Sequence, residues 1–168
     1  MIYLRNLTID DFNYLNSVEN NKSFWKYSFQ NQYYSKDDLI QFIYDSQLPI
    51  EQTNQIRFVI CKIETNDLLG FIDLFDIDFI KFQAGISILI SNSENRSKGY
   101  GKLSVQKIRE YAEQELKIKN LYCNITKDNV YSLKFFKLIG FNEISKNSDL
   151  YVSSTENNHE NIIQLQCT

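Results

Sequence analysis

The chain has 168 residues, 43% of them hydrophobic, 14% aromatic and 23% charged, with 5 glycines and 1 proline. That size and composition suit one domain over residues 1–168 with a real core, and leave little room for linkers or a disordered tail. A net charge of -3 and a pI near 5.2 argue against a nucleic-acid partner, and no apolar run approaches the roughly 18–20 residues of a membrane span. The opening residues do not read as a signal peptide, because acids follow at Asp10 and Asp11 with no small-residue cleavage site. Cys61, Cys123 and Cys167 are odd in number and widely spaced, with no zinc or redox pairing, which fits a reducing cytoplasm. His159 is the only histidine, so a Ser-His-Asp or Cys-His machine would need that one residue, and no metal is expected.

In chain order, residues 2–5 read as a short strand. Thr8-Ile9-Asp10-Asp11 is a capping-box pattern ahead of Phe12, Leu15 and Val18 at helical spacing. A second box, Ser35 to Asp38, opens a helix with Leu39, Ile40, Phe42 and Ile43 on its apolar face, and Pro49 marks its end. Residues 56–63 and 68–75 read as a hairpin around the turn 64–67. Residues 84–90 are almost continuously apolar, as a central strand would be. After a loop over 91–98, a helix runs from Gly99 to about Leu116, residues 121–126 form a strand, and a helix over 129–139 ends at Gly140. Strands near 141–144, with 150–152, and 162–166 close the chain, and the polar turn between them carries His159. The order implies an α/β (α+β) fold on a mixed, mostly antiparallel sheet flanked by four helices, with any site in the loop between Ile90 and Gly101.

That loop reads Asn95-Arg96-Ser97-Lys98-Gly99-Tyr100-Gly101-Lys102. Two glycines let a ligand approach the backbone, and amides at a helix start have no partner within the helix. With the positive helix end and Arg96, Lys98 and Lys102, this suits a phosphate or pyrophosphate; spacing alone is equally compatible with a plain cap and a solvated basic face. A Walker A loop fails, because Arg96 stands where its first Gly belongs and Leu103 where Ser or Thr would hold magnesium. A dinucleotide fingerprint fails at Ser104.

Arg96-Ser97-Lys98-Gly99-Tyr100-Gly101 resembles the pyrophosphate loop of the GNAT N-acetyltransferases, (Gln/Arg)-x-x-Gly-x-(Gly/Ala). The preceding strand matches 84–90, and the family's next motif is similar to Asn129 through Phe136 with Ile139-Gly140-Phe141. The likeness covers nearly the whole chain. Within the family, Leu74-Phe75-Asp76-Ile77-Asp78 resembles the ribosomal-protein and spermidine/spermine acetyltransferase branch.

The resemblance implies a gap where the fourth and fifth strands splay apart, with acetyl-CoA as co-substrate. It places Ile88, Leu89 and Ile90 along the pantetheine arm. The amides of Arg96, Ser97, Lys98, Gly99, Tyr100, Gly101 and Lys102 fall on the pyrophosphate, Asn129 on the arm, and Ser132 and Phe136 at the thiol end. Many members have Tyr where this chain has Phe136, and a phenol there can protonate the departing thiolate; Phe cannot. Ser132, one turn earlier, or a water is the substitute. The amine acceptor needs a base, for which Asp73 and Glu19 are the main candidates, with Asp76 and Asp78 beside them. The aromatic stretch 24–34 is read as part core and part lid. Gln30 and Asn31 replace acids that polyamine-acetylating relatives tend to carry, which speaks against a polyamine.

The functional expectation is an N-acetyltransferase acting by direct attack of a primary amine: a small molecule, a polyamine-like compound or a protein N-terminus. The alternative, motivated by Phe136, is a catalytically weak or inactive CoA-binding sensor. A nucleotide-binding regulator is a third reading. A homodimer is expected from the last strand and exposed aromatics.

Overall fold

The computed structural model describes residues 1–26, 28, 30, 32–153 and 160–168. Seven strands form one open sheet in the order β1-β2-β3-β4-β5-β7-β6. They are β1 (Ile2–Asn6), β2 (Ile56–Lys62), β3 (Leu68–Asp78), β4 (Gln83–Ile90), β5 (Asn120–Thr126), β6 (Asn142–Ile144) and β7 (Ile162–Cys167). Among the described residues six α-helices accompany them: α1 (Phe12–Glu19), α2 (Lys22–Trp25), α3 (Lys36–Asp45), α4 (Ile50–Thr53), α5 (Tyr100–Gln114) and α6 (Val130–Leu138). Four helices were expected; α2 and α4 are the additions. Both are single turns of 4 residues, too short to carry a periodic signal. Pro49 turns out to cap the start of α4, four residues past the end of α3.

The Ser35 box forms in full, and the Thr8 box through its Asp11 half. The Ser35 hydroxyl accepts from the Asp38 N–H at 3.1 Å while Asp38 accepts from the Ser35 N–H at 3.0 Å. Asp11 takes the Thr8 N–H at 2.8 Å and also receives Arg5 in a two-point ion pair at 2.7 and 2.8 Å, which ties the start of α1 to β1. A buried carboxyl would normally be pushed up, but these donors hold Asp11 below the usual carboxylate range.

The sheet separates two apolar clusters. One lies under α1 and α3 and joins Leu15, Val18, Leu39 and Ile43 to Val59 and Phe71. The other joins Ile72, Leu74 and Ile86 to Val105 and Ile108 of α5 and to Phe136 of α6. All three cysteines are buried and free, and burial pushes the Cys123 thiol up. No helix is long and apolar enough to cross a membrane among the described residues.

Two expectations need correction. Residues 150–152 are not a strand: Val152 N–H donates to Gln164 Oε1 at 2.9 Å, and Gln164 Nε2 returns to the Val152 carbonyl at 3.0 Å. A side-chain amide copies the ladder there, and apolar patterning does not tell the two apart. The other concerns Pro49, which opens α4 instead of closing α3. The last strand, β7, lies between β5 and β6, and β6 pairs with it at Gln164, Leu165 and Gln166. His159 lies outside the described residues.

Candidate active site

Strand β4 is flanked on its two sides by very different partners. Against β3 it is antiparallel from Gly70/Ile90 to Phe75/Gly85, with one further pair beyond a bulge, Asp78/Gln83. Against β5 it is parallel through only three pairs, ending at Gly85/Tyr122. Beyond that point the strands part, and β4 residues 86–90 face an open slot bordered by β5 residues 123–126. Side chains enforce this divergence point. The Phe75 ring covers Gly85 so closely that a Cβ there would sit 2.3 Å from it, and Phe75 meets Tyr122 edge-on at 6.0 Å.

At the open end of β4 the chain turns through a short 3₁₀ segment, Ser93–Asn95, into α5. The Arg96 N–H is satisfied by the Ser93 carbonyl at 3.1 Å, and its guanidinium folds back onto the Ile90 carbonyl at 3.0 Å. Ser97 and Gly99 both take left-handed backbone, with φ of 60° and 84°. Gly99 caps α5 with no side-chain bond, and the first backbone bond closing on this turn is Leu103 N–H to Gly99 O at 3.1 Å. The N–H groups of 97–102 therefore have no backbone partner among the described residues. They crown the positive end of a 15-residue helix. The expected row of amides thus begins at Ser97, with Arg96 bracing the loop. A Cβ on Gly101 would sit 3.3 Å from the Phe135 ring and 3.9 Å from Ile88, so β4, α5 and α6 converge here.

Asn129 caps α6 through its Oδ1, which accepts from the Ser132 N–H at 3.2 Å. Ser132 lies one turn before Phe136. Phe136 is buried at 4% exposure and stacks edge-on against Phe135 and Phe141 at 5.1 and 5.0 Å. It is part of the core, with no hydroxyl to offer.

On the face under α1 and α3, the base candidates meet. Arg57, opposite Asp73 across β2 and β3, forks onto both oxygens of Asp73 at 2.7 and 2.8 Å and also binds Glu19. Phe42 and Phe71 hold the guanidinium 5.0 and 5.2 Å from their ring centres. Burial by itself would lower the Arg57 pKa; Asp73 and then Glu19 reverse this and raise it. The group is two carboxylates on one cation, net charge −1. Ser87 donates to Asp73 at 3.0 Å from the rim of the slot. Sequence reasoning missed Arg57, since a lone Arg in an apolar strand shows its partner only once register is known. Asp76 and Asp78 are further along β3, in an open groove of about 630 Å³ with Tyr122 and Asp149.

The α2 region gives the slot an aromatic neighbour. Trp25 Nε1 and Gln30 Nε2 both donate to the Glu19 carbonyl, at 2.8 and 2.9 Å, so Gln30 spends its amide fixing the end of α1. Arg96 lies 5.9 Å from the Phe24 ring centre. Residues 27, 29 and 31 of the expected lid lie outside the described residues.

Comparison with known proteins agrees with this architecture. The family model of the acetyltransferase (GNAT) domain matches residues 2–142. A spermidine N(1)-acetyltransferase of Vibrio cholerae is 26% identical over 140 residues, covering 83% of this chain and 78% of that protein. The Escherichia coli K12 enzyme of the same name is 27% identical over 141 residues, covering 83% and 72%. Among solved structures, the Vibrio cholerae spermidine N-acetyltransferase in complex with CoA and spermine superposes with a TM-score of 0.81 at 20% identity, covering 99% of this chain and 94% of that one. A Methanocaldococcus jannaschii domain reaches 0.77 at 19% identity, covering 99% and 97%.

Proposed function

Since the chain belongs to the GNAT acetyltransferase family and moves an acetyl group from acetyl-CoA to an amine, we propose that the amine attacks the thioester directly, entering the slot between β4 and β5 from the α1/α3 face. The observation that carries this reading is the Asp73–Arg57–Glu19 group, joined through Ser87 to the rim where β4 leaves β5. It sets a net negative charge beside the place where an acyl group lies if its pyrophosphate rests on the free amides of 97–102. An alkylamine of pKa about 10.4 is neutral in only about one molecule in 10³ at pH 7, so a carboxylate that attracts the ammonium and relays its proton lowers the barrier.

Attack forms the N–C bond at the acetyl carbon and breaks the C–S bond. The N–H groups of residues 86–90 that turn away from β3 point into the slot, where they support a pantetheine arm and the carbonyl oxygen as it gains charge. The departing thiol has a reference pKa of about 8.5 and leaves tolerably without an acid. Ser132 or water supplies its proton in place of Phe136. Self-association draws support from the dodecameric structure of the Vibrio cholerae enzyme; sedimentation of the purified chain measures it.

The direct test is free-thiol release from acetyl-CoA over a panel of amines. CoA binding without release on any amine would sink this reading in favour of the sensor, the second reading that Phe136 motivates. Phe136→Tyr separates the two. In an acting enzyme it changes kcat by about tenfold or less and shifts the alkaline limb of the pH profile, whereas in a sensor it creates activity where none existed.

A further inference from the structure

The two sides of the slot differ in chemistry. On the β4 side are Ser87 and the charged group around Asp73. On the β5 side, in register with Ser87 beyond the last pair, stands Asn124, followed on the same face by Thr126. Asn124 Nδ2, Thr126 Oγ1 and Tyr151 Oη are buried and have no hydrogen-bond partner among the described residues. Burial also pushes the Tyr151 phenol up, so it stays protonated. Asn124 and Thr126 share one face of β5, and an unpaired buried atom calls for an explanation, because such groups are almost always paired.

The network around them fixes which end of Asn124 is free. Gln164 accepts from the Val152 N–H through Oε1 and donates to the Val152 carbonyl through Nε2, so its amide can sit only one way round. That Nε2 then donates to Asn124 at 3.0 Å, which makes the bonded atom Oδ1 and the orphan the NH₂ group. An NH₂ group only donates. It is answered by an oxygen with lone pairs and never by an ammonium, which only donates as well.

We propose that Asn124, with Thr126 beside it, forms a neutral subsite for an oxygen-bearing group of the acceptor, so that the preferred substrate is an amine with a carbonyl or hydroxyl oxygen near the reacting nitrogen. The inference rests on the acetyl-transfer reading above. The amine meets the Asp73 side of the slot while its oxygen meets the Asn124 side. A polyamine, a string of ammoniums and methylenes, leaves the NH₂ of Asn124 unanswered, and an unpaired buried donor costs about 1–3 kcal/mol, roughly a five- to 150-fold loss.

The experiment measures thiol release from acetyl-CoA on matched amines, with rates expressed per neutral amine: ethanolamine against propylamine, glycinamide against butylamine, and glucosamine against putrescine and spermidine. The expected result is kcat/KM at least about tenfold higher for the oxygen-bearing member of each pair. Asn124→Leu is expected to erase that preference through the acceptor KM with the acetyl-CoA KM unchanged. Should Asn124→Leu not fold, Asn124→Asp keeps the oxygen that Gln164 uses and turns the donor into an acceptor; it is expected to invert the preference toward polyamines. Equal rates within the pairs, a wild-type preference for spermidine, or an Asn124 effect confined to the acetyl-CoA KM each overturns the proposal while leaving acetyl transfer standing. Release on no amine overturns acetyl transfer itself.

Discussion

Strand β4 lies between two neighbours and treats them oppositely. Toward β3 the two backbones interlock to the end of β4, closely enough that a Cβ on Gly70 would fall 1.8 Å from the Leu89 carbonyl oxygen. Toward β5 pairing stops after three residues, and the free edge becomes the wall of a slot. A sheet ordinarily completes its ladder, because an unpaired N–H or C=O away from water is costly. Leaving one seam unfinished beside a fully locked one creates a rigid edge of backbone donors and acceptors with no strand to answer them. The locked seam keeps the open one from collapsing.

The largest expected effect comes from breaking the locked seam. Gly70→Ala drives a methyl into backbone that cannot give way, and should destabilise the fold by at least about 3 kcal/mol, as for severe overpacking. For a chain of this size that is a fall in Tm of roughly 6–12 °C. A melting curve checks it. A fall of a degree or two would mean that β3 and β4 can shift without loss, against the picture of a rigid edge.

Next in size is the charged bridge that spans β2, β3 and α1. Arg57→Ala leaves Asp73 and Glu19, 17% and 20% exposed, repelling each other without a cation. Removing one partner from such a group should cost on the order of 2–3 kcal/mol. It should also raise the acceptor KM, since Asp73 and Ser87 lose their anchor, while the acetyl-CoA KM stays put. Equal shifts in both constants would mean that the bridge supports the whole slot rather than its acceptor side.

On the closed half, Asp11 gives a pH handle that leaves the slot alone. Its folded pKa is lowered by Arg5 and Thr8 against the opposing effect of burial. The stability it contributes is therefore complete above its unfolded pKa of about 4 and is lost as pH falls through the folded value. Denaturant titrations between pH 6 and 3 should lose about 1–2 kcal/mol more in the wild type than in Asp11→Asn, which starts lower and falls less.

The locked half was legible in the sequence because its signals are local. Alternating apolar residues, the turn 64–67 and the boxes at Thr8 and Ser35 each specify their own element. The loop at Ser97–Lys102 was legible for the same reason, with two glycines and a helix start standing together. What the sequence did not reveal is set by register and by side chains acting as backbone. Arg57 and Asp73 are partners only once β2 is laid against β3. The stretch 150–152 reads as a strand because Leu150, Tyr151 and Val152 make a short apolar run, yet Gln164 and Gln166 take the place of a neighbouring strand there. Asn124 is an ordinary polar residue in sequence and becomes notable only when its Oδ1 proves to be occupied and its NH₂ does not.

The smallest effect tests the open seam where it meets the start of α5. Gly99 holds φ at 84° with empty space around its missing Cβ, so Gly99→Ala meets no clash and suffers only the left-handed backbone. That should cost about 1 kcal/mol in stability. If the amides of 97–102 do grip a pyrophosphate, a small rotation about Gly99 misaims several of them at once, and a charge-assisted bond is worth more than the strain that disturbs it. The acetyl-CoA KM should then rise by about tenfold with the acceptor KM unchanged, the mirror image of Arg57→Ala. The free-amide edge and the charged bridge would thus separate kinetically, one reporting on the coenzyme and the other on the amine. A Gly99→Ala enzyme with unaltered acetyl-CoA KM would mean that Lys98, Lys102 and the side chains around them carry the anion, and that the bare backbone at the mouth of the slot has another use.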